Sequence, residues 1–223
     1  LDASTIIYQK LEDFIKKFYT NELIKGIIFF VGLGLIYFLF VLFVEYFLWL
    51  KPTARTFLFW IFVIVEVFLL SRYILFPISK LFKIQKGIDF NDASIIIGNH
   101  FSEVSDKLTN FLQLSEDKNQ SELLLASIEQ KANSLQPIPF SNAINFQKNN
   151  KFLPLAILPM LFFAYFYISG NSKILSQSLD RVVHFKNQYL PPAPFEFVVV
   201  NKNLQTEQGN DFVLQIKSRG KVV

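Results

Sequence analysis

A mainly α membrane protein is the fold class this sequence predicts: three transmembrane helices, a small helical cytoplasmic subdomain between spans two and three, and the start of a non-cytoplasmic β-sandwich. Three observations carry that reading. Apolar and polar residues are segregated: residues 26–44, 57–65 and 152–168 carry no charge, whereas 13–17 and 115–131 are densely polar. Lysines gather on one side of the apolar runs. Near the C-terminus the hydrophobic period changes from helical to alternating.

Residues 1–23 place Ile6, Ile7, Leu11, Phe14, Ile15 and Phe18 at helical spacing, flanked by Lys10, Lys16 and Lys17. A basic amphipathic helix leading into a span is expected to lie in the membrane interface. The alternative is packing against the cytoplasmic subdomain. The first span covers 24–50, with Tyr46 and Trp49 as an aromatic belt at its far end. Lys51-Pro52-Thr53-Ala54-Arg55 is a tight link, so the second span, 56–79, must return antiparallel and close a transmembrane hairpin over 24–79. The third span, 152–169, contains Pro154 in its first turn and Pro159 inside, where proline frees a carbonyl and is expected to kink the helix.

Between spans two and three, 80–151 reads as a helical subdomain. A helix is expected from Asn91 or Asp92 to Gly98-Asn99, a second over 103–114, and a third over 121–135 with Asn119 and Glu122 as a capping pair. Ile95, Ile96, Phe101, Val104, Leu108, Phe111, Leu123, Leu124 and Ile128 are its expected apolar positions. So small a core calls for support from the membrane helices or a partner. Beyond span three, 170–194 reads as a second amphipathic helix and a stiff linker of Pro191, Pro192 and Pro194. Over 195–223, Phe195, Phe197 and Val199 alternate, as do Phe212, Leu214 and Ile216, with Gly209-Asn210 between them. The chain opens on Leu1 and ends inside a strand-like run, which is expected of a piece of a longer protein.

Lys10, Lys16, Lys17, Lys25, Lys80, Lys83, Lys86, Lys148 and Lys151 lie on one side of the spans, against Lys51, Arg55, Lys173, Arg181 and Lys186 on the other. That bias puts the N-terminus and 80–151 in the cytoplasm and the C-terminal part on the other side of the membrane, which the resemblance given below implies is the periplasmic side of a bacterial inner membrane. The lysines beside the spans are expected to anchor lipid headgroups.

Two acids stand out. Glu66 lies ten positions from Thr56, near mid-bilayer, where a charge must face the bundle, stay protonated or find a partner. Glu45 sits nearer the outer interface, within reach of Lys51 or Arg55. The absence of cysteine excludes a thiolate nucleophile, a disulfide framework and cysteine-ligated metal. His100 and His184 fall on opposite sides of the membrane and cannot share a metal. No P-loop, GxGxxG, HExxH or GxSxG string occurs. No catalytic residue, cofactor or metal site is expected.

The run ASIIIGNHFSEVSDKLTNFLQL, 93–114, resembles a signature of large bacterial inner-membrane proteins, frequent in Bacteroidota, known only as a domain of unknown function. The stretches LLLASIEQKANSLQPIPF and SGNSKILSQSLDRVVHFKNQYLPPAPF resemble that family's next helix and its re-entry into the periplasm, with Ser102 standing where the family has proline. The resemblance implies an N-terminal anchor for a long periplasmic body with Ig-like regions, and it brings no activity. The expected function is therefore structural or scaffolding, without catalysis. Its expected partners are membrane lipids and other envelope membrane proteins or a second copy of the chain, and no nucleic acid. The alternative is a subunit of a proton-coupled energy-transducing complex that uses Glu66.

Overall fold

The computed structural model describes residues 2–116, 121–191, 195–202, 204–206, 208–209 and 211–220. Its axis is α1, Ala3–Leu48, one unbroken helix of 46 residues. At ~1.5 Å per residue it is about 69 Å long, more than twice a hydrocarbon core of ~30 Å. More than half of its length therefore exceeds what a single crossing needs. The amphipathic segment and the first span are one element, because nothing between Thr20 and Gly26 breaks a helix.

Helix α2, Pro52–Leu70, passes through one π turn, Ser71–Leu75, into α3, Phe76–Leu81. Together they form a second apolar helix of 30 residues. Helix α7, Leu153–Ile168, follows a 3₁₀ segment, Phe146–Phe152, and completes a set of three helices long and apolar enough to cross a membrane. The expected third span is shorter than this composite, because 3₁₀ geometry extends it toward the subdomain.

Pro77 and Pro159 have no N–H to return to the carbonyls of Tyr73 and Leu155, four residues earlier. Both carbonyls face glycines of α1. A Cβ added at Gly26 would stand 2.0 Å from Tyr73 O, and one at Gly32 would stand 2.8 Å from Leu155 O. The missing side chains let α1 approach the two proline-disrupted turns closely.

At one end of the bundle, α4 (Phe90–His100), α5 (Ser105–Glu116) and α6 (Glu122–Leu135) form the helical subdomain. Asp89 caps α4 through a reciprocal box with Asp92, one turn earlier than the expected start. Ser121 caps α6, while the expected cap Asn119 lies outside the described residues. Gly98 does not end α4. It is buried inside the helix, where a Cβ would meet Ser105 Oγ at 2.6 Å, so its role is close contact with α5.

The core of this subdomain joins Ala93, Ile97, Val104, Leu108, Phe111, Leu112, Ala132 and Leu135 to Ile7, Leu11 and Phe14 of α1. Of the two placements expected for residues 1–23, packing against the subdomain is the one present, with Ile7, Leu11 and Phe14 buried by protein. Lys10 and Lys17 differ from the expected headgroup anchors, because their ammonium groups donate to the carbonyls of Gln136, Ile138 and Ser141. Burial pushes the Lys10 ammonium below the usual lysine range. Of the expected core, Ile95 and Leu123 are exposed, at 60% and 83%. The buried face of α6 runs through Ile128 and Leu135, both expected on its apolar side, together with Ala132.

At the other end, α8, Ser172–Val183, packs on α1 through Val182 and Leu175 against Val41 and Leu42. The chain then reaches a two-stranded antiparallel sheet, β1 (Phe195–Val199) with β2 (Ile216–Gly220), in register Phe195↔Gly220. Pro192, Pro194 and Asn210 of the expected linker and turn lie outside the described residues. The second strand begins at Ile216 rather than at Phe212, because Asn201 occupies the ladder with side-chain bonds to Val213 O and Gln215 N. Both strands are exposed on both faces.

Candidate functional site

The two acids singled out by the sequence both turn inward, in different places. Glu45, on the last turns of α1, is fully buried. Its Oε1 lies 2.9 Å from Arg55 Nη2 and 3.3 Å from Arg181 Nε. Arg55 enters from the first turn of α2, which the Lys51-Pro52 link folds back beside α1. Arg181 enters from α8. The N–H vectors do not aim along these contacts, so the pairing is Coulombic rather than a forked hydrogen bond. Arg55 instead donates to Leu50 O and Asn187 O, both at 2.7 Å, and tethers both flanking loops.

Aromatic rings complete the cluster. Trp49 ends α1 in the left-handed region, φ 45°, which is unfavourable for a bulky residue. That conformation sets its ring 4.0 Å from the Arg181 guanidinium, and Tyr189 lies 4.9 Å from that of Arg55. Tyr189 also donates to Asp180 at 2.9 Å. Partial burial and that carboxylate hold the Tyr189 phenol above its usual value. One buried carboxylate between two buried guanidiniums binds three helices into one unit. A cleft of about 850 Å³ opens beside it, bordered by Trp49, Asp180, Arg181 and Tyr189.

Glu66 lies in the span bundle with its carboxylate against Gly34 of α1, where a Cβ would meet Oε2 at 3.0 Å. Its Oε1 is buried and has no hydrogen-bond partner among the described residues. It borders a groove of about 460 Å³ whose other walls include Phe30, Phe38, Phe62 and Met160. Glu66 thus meets α1 through Gly34, and its Oε1 finds no donor among the described residues. Gly34 and Glu45 are eleven residues apart, about 16 Å along the helix, so the two acids are separate sites.

Of the two partners expected for Glu45, Arg55 is the one in contact, and Lys51 stays exposed. Arg181 was legible only as a charge count, although it carried a signal. It stands on the same helical stripe as Ile174, Ser178 and Val182, and a charge on an apolar stripe implies a buried partner. His100 and His184 sit at opposite ends of the molecule, His184 within 3.0 Å of Asp180.

No family model, curated protein or solved structure matches this chain. What the fold defines is a class: a mainly helical membrane protein with three helices long and apolar enough to cross a bilayer and a small two-stranded sheet.

Proposed function

We propose that this chain is a structural, scaffolding protein of the bacterial envelope, anchored in the cytoplasmic membrane and acting by assembly with other membrane helices. The N-terminus and α4–α6 lie in the cytoplasm, and the β1–β2 sheet opens a periplasmic Ig-like domain. The observation that carries assembly is the orphaned Glu66 Oε1. A polar group without a partner at that depth costs several kcal/mol, and a donor from another helix seated in the adjoining groove removes that cost. The buried charge cluster and the subdomain core support the scaffold role, since each end of α1 is fixed to an extramembrane element.

The second reading, a proton-coupled energy transducer, draws on the same residue, because an intramembrane carboxyl beside an open groove is also what a proton site needs. Glu66→Gln separates the two, since it keeps hydrogen bonding and cannot ionise. The scaffold reading expects the variant to keep both the native complex on blue-native gels of membranes and the growth phenotype of the wild type. Glu66→Ala should lose the complex. An intact Glu66→Gln complex with lost function replaces the scaffold by the transducer.

A further inference from the structure

A cleft of about 310 Å³ opens between α1 and the loop that follows α3. Its floor is apolar, built by Ile15, Tyr19, Leu81 and Ile88, and Tyr19 is fixed by the Ile88 N–H at 2.7 Å. Its rim is basic, with Lys16, Lys80, Lys83 and Lys86 against Glu12 and Asp89. Both acids are already engaged. Glu12 pairs with Lys83 at 3.1 Å, and Asp89 caps α4 by accepting from Asp92 N at 2.8 Å. Lys80 turns to the Lys86 carbonyl at 2.8 Å, and the Lys86 ammonium meets no acceptor among the described residues. Lys16 faces Asp13 at 4.0 Å, so Lys80 and Lys86 are the rim lysines without a carboxylate partner among the described residues.

Its depth matches the headgroup layer. Tyr19 precedes the uncharged run at Gly26 by seven residues, about 10 Å of helix, and Leu81 ends the second apolar helix. Lys83 adopts φ 57°, which turns the loop so that Phe82 and Ile84 stand out at 70% and 76% exposure beside the pocket. Exposed apolar side chains alternating with lysines at this level suit a loop that dips into lipid and holds a headgroup behind it.

We propose that this cleft binds the phosphate of an anionic phospholipid headgroup, with Lys80 and Lys86 as its principal cations and the apolar floor against the ester carbons. A soluble phosphate ester offers the same anion, so the test separates the two sources. It rests on the membrane reading alone, independently of scaffold or transducer. The full chain in mixed micelles is analysed by native mass spectrometry with phosphatidylglycerol, with phosphatidylcholine, and with phosphatidylglycerol plus glycerol 3-phosphate. Phosphatidylglycerol should be retained over phosphatidylcholine. Lys80→Gln with Lys86→Gln should lower its retention about thirtyfold, the effect of two lysines on an anionic lipid. Lys107→Gln with Lys202→Gln, the same charge change at exposed lysines away from the spans, should leave it unaltered. Retention that persists against glycerol 3-phosphate assigns the lipid as the occupant, and displacement assigns a soluble ester at the same site. Equal retention of the two lipids, or equal loss in both double variants, overturns the proposal.

Discussion

Gly26, Gly32 and Gly34 each lie against a polar group that its own helix leaves unsatisfied or crowded: the Tyr73 carbonyl, the Leu155 carbonyl and the Glu66 carboxylate. At Gly26 the obstacle to a side chain is backbone at 2.0 Å, which cannot rotate away. Gly26→Ala should therefore force α1 from the π turn and cost about 1–3 kcal/mol, read as a fall in thermal midpoint in detergent. Gly170→Ala has nothing within 4 Å and meets only its φ of +74°, so its cost should be about 1 kcal/mol. The same logic of uncompensated groups governs Glu45. Its removal leaves two buried guanidiniums facing each other, so Glu45→Ala should destabilise by about 3–5 kcal/mol, while Lys51→Ala, at an exposed lysine, should stay within about 0.5 kcal/mol. The Glu45–Arg55 pair was legible because a short link brings ten-residue neighbours together. Arg181 was not, since its partner lies in a helix on the other side of two membrane crossings. Gly98 read as a helix stop because glycine usually stops a helix. Only the approach of Ser105 reveals the other use.

Among elements, α1 decides the most. Its first four turns complete the core of α4–α6, which supplies the support that so few apolar residues call for. The lysine-flanked stripe was legible as amphipathic, but a stripe does not say whether lipid or protein covers it. The positions of the helices in the subdomain were legible within a turn. On α6 Ile128 and Leu135 were legible as core, whereas Leu123 was not legible as exposed, because apolar residues run on from Leu123 to Leu125 and the period alone does not choose among them. Leu108 and Leu123 now separate these cases. Leu108→Ala removes a fully buried side chain and should cost about 2–5 kcal/mol, whereas Leu123→Ala, 83% exposed, should be nearly neutral. Phe101→Ala, half-buried at the core's edge, should fall between them. Limited proteolysis over 87–150 should order the three variants accordingly.

For the whole molecule, the central claim is that three crossings put α4–α6 and the hairpin on opposite faces of one membrane. One crossing, the third span, separates α4–α6 from the β1–β2 sheet. The chain contains no cysteine, so each single cysteine reports without background. Glu129 on α6 and Lys202 after β1 are both exposed. Intact cells should be treated with a membrane-impermeant maleimide, and inverted vesicles with the same reagent. Glu129→Cys should label in inverted vesicles and resist in cells, and Lys202→Cys should label in cells and resist in vesicles. Labelling of both positions from the same side would contradict the three-span account.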